Sequence, residues 1–368
     1  MLGVTPRKKG YGTCLILLNL DLDFLTLMAG IYFRIFMRVS YSSLMKAKKI
    51  LITGATGFIG RHLLCYLNEE KYFIRLFVRG EKSAESHVSP NMEICLGDLS
   101  DKASIADACE GIDVVIHLAG LAHANNPDHS SLEEINVRGT ETLLSIAIEK
   151  RVRRFIFLSS SLAANPDNKA LNQIGYGMAK LKSEEAILDA HEDGRIEGII
   201  LRPVNVYGLG MRGNVASMIA MIQKGMMPPL PRLDTKISLI GVKDVCQAVA
   251  LAIESDEARG KVYSLTDGNQ YSVSEIEKNI YEVLGRKMPQ WKTSRVVIYL
   301  ALNITGVIGR LLGILGIRIP IISDISFRTY DNLVKDNLFD NSLACAELGF
   351  KPTTTFFNSL KSILSDHT

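Results

Sequence analysis

Short apolar runs alternate along the chain with segments whose apolar residues recur at helical spacing. The apolar runs are Ile50–Ile52, Phe73–Val78, Met92–Leu96, Asp113–Leu118 and Phe155–Leu158. Runs of this length and composition are typical of strands buried on both faces. The helical segments between them include Ala103–Cys109 and Leu132–Glu149. Repeated strand–helix units predict a parallel sheet covered on both faces by helices.

Three glycines, Gly54, Gly57 and Gly60, follow the first apolar run and precede Leu63 and Leu64, which begin a helical pattern. Glycines in a strand-to-helix turn let backbone N–H groups approach a pyrophosphate, and the helix dipole favours the anion. The spacing is GxxGxxG rather than the general GxGxxG fingerprint. The turn therefore predicts a dinucleotide phosphate site.

The residues after the second apolar run bear on the choice of cofactor. An NAD site usually places an acid there to hold the ribose hydroxyls, but this chain reads Val78-Arg79-Gly80 and has no acid before Glu81. Arg79 can pair with the 2′-phosphate of NADP. The pattern favours NADP over NAD, with an ordinary solvated arginine as the alternative.

Ser160, Tyr176 and Lys180 are the candidate catalytic residues. Tyrosine and lysine four residues apart share one helix face. A free tyrosine, with a pKa of about 10, is a poor base, and a nearby ammonium favours its phenolate. A serine at the preceding strand end can hydrogen-bond the reacting oxygen while the tyrosine transfers a proton and hydride moves to or from a nicotinamide.

Composition narrows the function classes. The chain has 368 residues, of which 47% are hydrophobic and 22% charged, which excludes wholly disordered, collagen-like and disulfide-scaffold proteins. The net charge of +3 gives no case for a nucleic-acid partner. The six cysteines stand far apart, without metal-ligand spacing, so we expect no metal site and a reducing, cytoplasmic compartment.

The chain resembles an extended short-chain dehydrogenase/reductase of the NAD-dependent epimerase/dehydratase family from Lys48 to about Leu364. The resemblance rests on TGATGFIG (53–60), GDL (97–99), HLAG (117–120), NVRGT (136–140), LSSS (158–161), YGMAK (176–180), LRPVNVYG (201–208) and LGFKP (348–352). It implies an α/β fold: a Rossmann-type doubly wound parallel sheet with a smaller α/β substrate-binding domain. It also implies a homodimer through helices at Leu132–Glu149 and Gly177–Asp189.

The resemblance assigns roles to individual positions. The catalytic set is Ser160, Tyr176, Lys180 and Asn136, the last supporting the lysine through water. The cofactor-binding set is Gly54, Gly57, Phe58, Ile59, Gly60, Arg79, Asp98, Leu99, Leu118, Ala119, Gly120, Tyr176, Lys180 and Pro203. The substrate-binding set is Ser160, Ser161 and Asn205.

The expected domains are a dinucleotide-binding domain, 46–202 plus 236–256, and a substrate-binding domain, 203–235 plus 257–365, after an N-terminal extension, 1–44. Within the second domain we expect a helix over Ser272–Leu284, with Ser274 as N-cap and Glu277 completing a capping box.

Two departures from the family pattern matter. Ile237 stands where many sugar epimerases have a phosphate-binding arginine. Lys236 is one residue away, and a shift of one residue on a strand points to the other face. The missing acid after the second strand also departs from epimerases that retain NAD.

The leading functional hypothesis is an NAD(P)-dependent epimerase or dehydrogenase acting at C4 of a nucleotide sugar. RPVNVYG and GMRGN (210–214) resemble members that act on UDP-N-acetylhexosamines, and a UDP-hexose is the other sugar class. The alternative is an NADPH-dependent reductase of a hydrophobic ketone, as in steroid and flavonoid reductases, which Arg79 favours. A non-catalytic dinucleotide-binding protein is the third hypothesis.

Two apolar segments raise the mean hydropathy to +0.14. Residues 14–33 are long enough to span a bilayer, but Asp21 and Asp23 interrupt them. The alternatives there are a start placed upstream of Met45, a membrane anchor or a secretory signal. Residues 295–322 form either a packed helix or an amphipathic helix that contacts a bilayer, which leaves peripheral membrane association open.

Overall fold

In the described part of the chain, seven parallel strands form the main sheet, in the order β3-β2-β1-β4-β5-β6-β9. The strands are β1 (Lys48–Thr53), β2 (Tyr72–Val78), β3 (Met92–Leu96), β4 (Val114–His117), β5 (Arg154–Leu158), β6 (Glu197–Pro203) and β9 (Val262–Leu265). The computed structural model describes residues 47–67, 71–80, 90–121, 129–166, 174–228, 230–231, 233–297, 299–300, 304, 308 and 336–365.

The strands of the main sheet are apolar on both faces because helices cover both. Ile50, Leu51 and Ile52 are fully buried, and they alternate between two separate core clusters. The strand order reverses between β1 and β4, and the crevice at such a switch point is where doubly wound sheets bind ligands. The predicted Rossmann-type sheet is confirmed.

The helices around the main sheet follow the predicted alternation. They are α1 (Phe58–Tyr66), α2 (Lys102–Cys109), α3 (His129–Leu132), α4 (Gly139–Glu149), α5 (Ile174–Glu192) and α7 (Val242–Glu254). The helix expected over Leu132–Glu149 is not regular: a π-helical turn, Glu133–Arg138, joins α3 to α4. Such turns occur frequently at functional sites, and this one contains Asn136.

A second sheet has three strands in the order β10-β8-β7 within the described residues. They are β7 (Asn205–Tyr207), β8 (Lys236–Gly241) and β10 (Gln270–Ser272); β8 runs parallel to β7 and antiparallel to β10. Helices α6 (Asn214–Gln223), α8 (Val273–Val283) and α10 (Phe356–Ser365) share a core with this sheet, and α9 (Ser342–Glu347) lies beside β9.

Two strands differ from the predicted domain boundaries. Strand β8 was expected in the dinucleotide-binding domain but belongs to the three-stranded sheet, whereas β9 was expected in the substrate-binding domain but completes the main sheet. Both strands are short apolar runs, and such runs do not reveal which sheet they join.

The start of α8 also differs from the prediction. Ser272, not Ser274, is the N-cap, and its partner in the capping box is Glu275 rather than Glu277. Ser274 instead donates to the Leu233 carbonyl at 2.9 Å. Both serines are followed three residues later by a glutamate, so the motif alone could not choose between them.

Several predictions fall on residues outside the described set: the N-terminal extension 1–44, Glu81 and most of 295–322. Among the described residues, no helix is both long and apolar enough to cross a bilayer.

Candidate active site

The glycine turn between β1 and α1 packs its backbone directly against the backbone of neighbouring residues. Gly54 has a φ of +74°, and a Cβ there would lie 2.6 Å from the Ala119 nitrogen. A Cβ on Gly60 would lie 2.3 Å from the Gly54 carbonyl oxygen. No side chain caps the N-terminus of α1, where Gly57 is the N-cap. These glycines leave a close-packed turn whose helix N-terminus suits a pyrophosphate.

Other expected cofactor-binding positions also lie at the carboxyl ends of strands. Phe58 and Ile59, both half-buried, begin α1, and Leu118 and Ala119 follow β4. Asp98 follows β3 and accepts hydrogen bonds from the Ser100 nitrogen and hydroxyl at 2.9 and 2.7 Å.

Arg79 lies near Asp98. The bonds from Ser100 are the main cause that lowers the pKa of Asp98, and the positive charge of Arg79 lowers it further. Leu99 packs close to the start of α4, where a Cβ on Gly139 would lie 3.3 Å from the Leu99 Cβ. The structure thus brings the predicted adenosine-side residues Arg79, Asp98 and Leu99 to one edge of the sheet.

A chain of uncharged side chains, here the neutral network, runs beneath the glycine turn. Thr53 Oγ1 lies 2.7 Å from His117 Nδ1, and His117 Nε2 lies 2.9 Å from Thr140 Oγ1. Thr140 donates to the Asn136 carbonyl at 2.6 Å. The Thr140 hydroxyl donates its proton to that carbonyl, so Thr140 can only accept a hydrogen bond from His117. His117 Nε2 is therefore protonated and donates to Thr140, while Nδ1 accepts from the Thr53 hydroxyl. Burial lowers the pKa of His117 to about 3, and the charge of Lys180 lowers it further.

Asn136 joins the neutral network to the residues that follow β4. Its Oδ1 accepts the N–H of Leu121 at 2.7 Å, and its Nδ2 donates to the Leu121 carbonyl at 3.3 Å. A Cβ on Gly120 would lie 3.1 Å from Asn136 Oδ1 and 3.6 Å from Lys180 Nζ. Because Gly120 has no side chain, the backbone after β4 can pass close to the Asn136 and Lys180 side chains.

Tyr176 and Lys180 occupy the first turns of α5, as predicted. Lys180 is buried, and its Nζ donates to the Leu158 carbonyl at 2.9 Å and lies 4.3 Å from the Phe157 ring centroid. The same Nζ lies 5.9 Å from the centroid of the half-buried Tyr176 ring.

The electrostatics of this pair differ from the sequence-based expectation. Burial lowers the pKa of Lys180 to about 8, although the Glu184 charge opposes this, and burial raises the pKa of Tyr176. We expected the lysine to lower the tyrosine pKa. Desolvation outweighs that effect here, so Tyr176 is a neutral phenol at neutral pH.

The three serines after β5 have different environments. Ser160 is half-buried and its Oγ accepts the Leu162 N–H at 3.3 Å, whereas Ser159 and Ser161 are buried. Ser159 donates to the buried Glu184 carboxylate. Because the Ser159 hydroxyl is committed to Glu184, Ser160 is the better placed of these two to meet a substrate oxygen.

Glu184 belongs to a second buried cluster, here the ionic network, which consists of Ser159, Glu184 and Arg202. The Arg202 guanidinium binds both Glu184 carboxylate oxygens, with Nε at 2.9 and 3.1 Å. Sequence analysis did not identify Glu184 or Arg202. One available signal was that Glu184 lies four residues after Lys180, on the same helix face.

Two further predicted residues lie toward the second sheet: Pro203, expected to bind the cofactor, and Asn205, expected to bind the substrate. Pro203 is buried at the end of β6, and Asn205 is exposed at the start of β7. On β8, Lys236 is exposed and Ile237 is half-buried against the second core. Ile237 and Lys236 thus differ in environment, as expected for adjacent strand residues.

Comparisons with known proteins give the family and support the fold. The model of the NAD dependent epimerase/dehydratase family matches residues 50–266. The chain is 28% identical to a UDP-glucose 4-epimerase of Vibrio cholerae over 262 residues, covering 67% of this chain and 78% of the relative.

Two further relatives cover more of the chain. A 3 beta-hydroxysteroid dehydrogenase/Delta 5→4-isomerase of Mycobacterium tuberculosis is 24% identical over 339 residues, which are 86% of this chain and 89% of that protein. The crystal structure of UDP-glucuronic acid 4-epimerase from Bacillus cereus in complex with NAD superposes with a TM-score of 0.66 at 19% identity, covering 86% of this chain and 99% of that one. The structural likeness supports the fold.

Proposed function

This chain belongs to the NAD-dependent epimerase/dehydratase family, as an enzyme of the extended short-chain dehydrogenase/reductase type, and we propose that it oxidises or reduces C4 of a nucleotide sugar. The proposed substrate class is a UDP-hexose or UDP-N-acetylhexosamine. The observation that carries the proposal is the placement of Lys180 beside Gly120, with the Tyr176 ring centroid 5.9 Å from Lys180 Nζ, near the glycine turn that can hold a dinucleotide.

The protein residues divide the chemistry among them. A nicotinamide dinucleotide, when bound, supplies or accepts the hydride. Gly54, Gly57 and Gly60 let the turn approach its pyrophosphate. In the reductive direction the neutral Tyr176 phenol donates its proton to the carbonyl oxygen, and the Lys180 ammonium stabilises the phenolate that remains. Ser160 donates a hydrogen bond to the same substrate oxygen.

Three residues and a proposed dimer interface refine the proposal. Arg79 supports a preference for NADP, since no acid precedes it at the end of β2. Asn205, exposed beyond β6, is proposed to contact the substrate diphosphate. Ser161 is proposed to lie near the reacting sugar. The resemblance also leads us to propose a homodimer in which the helices over 132–149 and 177–189 form the interface.

A hydrophobic ketone is the second candidate substrate. Ile237 supports it, because an apolar side chain replaces the arginine that holds substrate phosphate in many sugar epimerases. The extent of the match to the Mycobacterium tuberculosis steroid dehydrogenase also supports it.

A substrate panel with both cofactors tests these proposals. We expect turnover of a UDP-hexose or UDP-N-acetylhexosamine, with NADP(H) consumed in stoichiometric amounts by a reductase and without net consumption by an epimerase. Tyr176→Phe should lower kcat by about a hundredfold or more while leaving the cofactor Kd nearly unchanged. Turnover of steroid or other apolar ketones alone would replace the sugar proposal with the second candidate. Full activity of Tyr176→Phe would contradict the proposed mechanism for either substrate.

A further inference from the structure

Apolar side chains are exposed on helical residues beyond α8. The described residues 295–297, 299, 300, 304 and 308 are helical. Large apolar side chains among them are 45–63% exposed, and we call them the apolar stripe: Val296, Val297, Leu300, Ile304 and Ile308. Four of them recur every four residues in the sequence, the spacing that places side chains on one side of a helix.

The stripe differs from the apolar residues exposed elsewhere. Single exposed apolar side chains are normal on a folded protein, whereas a contiguous patch marks an interaction surface. The described exposed residues Tyr66, Leu96 and Leu343 lie far apart in the chain. The stripe concentrates five exposed apolar side chains within thirteen positions, 296–308.

The charged residues near the stripe in the sequence indicate which kind of partner it contacts. Between Glu282 and Asp324 the sequence has six basic residues and no acidic residue. Trp291 and Tyr299, 66% and 48% exposed, accompany the stripe. Tryptophan and tyrosine are enriched where a protein meets the bilayer interface, and basic residues are attracted to anionic headgroups. An apolar helix face with this surrounding is typical of a helix lying in the membrane interface.

The segment is attached to the second sheet's helices at its beginning. Lys292 Nζ lies 3.2 Å from Oε2 of Glu277, a fully buried residue of α8. Arg286 donates to the Ile222 carbonyl of α6 at 2.9 Å. These two contacts therefore link a membrane-bound stripe to helices α6 and α8 of the second sheet's core.

We propose that the apolar stripe docks this enzyme on an anionic lipid bilayer. The stripe enters the headgroup region, Trp291 and Tyr299 lie at the interface, and the exposed Lys287 is attracted to lipid phosphates. The proposal does not depend on the substrate class given above.

Trp291 is the sole tryptophan in the sequence and provides a local probe. The full chain is mixed with vesicles of phosphatidylcholine containing phosphatidylglycerol, and with vesicles of phosphatidylcholine alone. We expect a blue shift of Trp291 emission, quenching by brominated lipid and co-sedimentation, all stronger with the anionic vesicles. Membrane binding by a distant segment alone would leave Trp291 unquenched.

The variant Leu300→Ser/Ile304→Ser removes apolar area from the centre of the stripe. We expect it to weaken vesicle binding by about tenfold or more, because binding scales with buried apolar area. The matched control is Leu343→Ser on α9, where the leucine is 44% exposed. Both variants should keep the wild-type thermal unfolding midpoint and turnover, which shows that folding and catalysis are intact.

Other results would overturn the proposal. Wild-type protein that neither sediments with anionic vesicles at low salt nor shows Trp291 quenching does not dock there. A concentration-dependent dimer that Leu300→Ser/Ile304→Ser dissociates, without vesicle binding by the wild type, would assign the stripe to self-association instead. Equal loss of vesicle binding in the Leu343→Ser control would remove the link to the stripe.

Discussion

Helix α5 carries Tyr176 and Lys180, and the two buried polar networks that adjoin this site differ in kind. In the neutral network, His117 joins two threonine hydroxyls without any formal charge. In the ionic network, Arg202 holds both oxygens of Glu184, a helix residue that is itself 1% exposed. The first orders the glycine turn and the Asn136 turn, and the second fastens the helix to β6.

The two kinds of network are vulnerable to different changes. A buried ion pair gains little over apolar packing, but removal of one partner leaves an unpaired charge that is costly. A neutral network leaves only an unsatisfied hydroxyl when it is broken, yet it depends on a histidine that must stay unprotonated. We therefore expect the ionic network to dominate stability and the neutral network to dominate the response to pH.

The largest expected effect comes from Glu184→Ala. It leaves the Arg202 guanidinium, 18% exposed, without its carboxylate. We expect a loss of about 3–5 kcal/mol in the free energy of unfolding, measured by urea denaturation. The double variant Glu184→Leu/Arg202→Met should recover much of that loss, because it removes the uncompensated charge. A Glu184→Ala loss below about 1 kcal/mol would show that water reaches Arg202 and that the pair acts as a surface pair.

His117→Leu is expected to cost about 1–3 kcal/mol, because Thr53 loses its acceptor within the core. Thr53 immediately precedes Gly54, so the variant should also raise the cofactor Kd. Measurement of both unfolding and cofactor binding separates the two effects. Unchanged cofactor affinity with reduced stability would limit the neutral network to a structural role.

The pH dependence of stability tests the contribution of His117 in the neutral network. His117 has a folded pKa of about 3, against about 6.5 for an unfolded histidine. Between these values the unfolded chain binds a proton that the folded chain does not, so stability falls as the pH drops below about 6.5. We expect this residue to contribute roughly 1 kcal/mol per pH unit across that window.

His117→Gln supplies the control for the titration, because glutamine can still bond a hydroxyl but does not titrate. Urea unfolding of both proteins at pH 7, 6 and 5 gives the difference. The wild type should lose stability faster than the variant as the pH falls. Parallel pH curves would mean that His117 has the same pKa in the folded and unfolded states, and would contradict its burial as a neutral side chain.

The sequence predicted the parts of the site that local patterns determine. Residues close together in the sequence are enough to predict the glycine turn, the Tyr176–Lys180 pair and the doubly buried strands. Glu184 and Arg202 were missed because they pair across eighteen positions between a helix and a strand. The sequence likewise does not show which sheet β8 and β9 join, because strand pairing is decided by tertiary contacts.

The tyrosine shows a different limit of sequence-based prediction. The YxxxK spacing correctly predicts that Tyr176 and Lys180 share a helix face, but it does not report how deeply the two side chains are buried. Burial, which raises the pKa of Tyr176 and lowers that of Lys180, depends on Phe157, Leu158 and the surrounding strands.

The smallest expected effect comes from a surface ion pair between Lys182 of α5 and Glu133 of the π-helical turn. Lys182 Nζ lies 3.2 Å from Glu133, and both side chains are more than 40% exposed. Water and salt screen such a pair, and it must also restrict two flexible side chains. We expect Glu133→Ala to change the free energy of unfolding by about 0.5 kcal/mol or less. Because Glu133→Ala and Glu184→Ala each remove a carboxylate from one lysine or arginine partner, the ratio of their effects measures burial. A Glu133→Ala loss equal to that of Glu184→Ala would contradict the claim that desolvation of Arg202 causes the larger one.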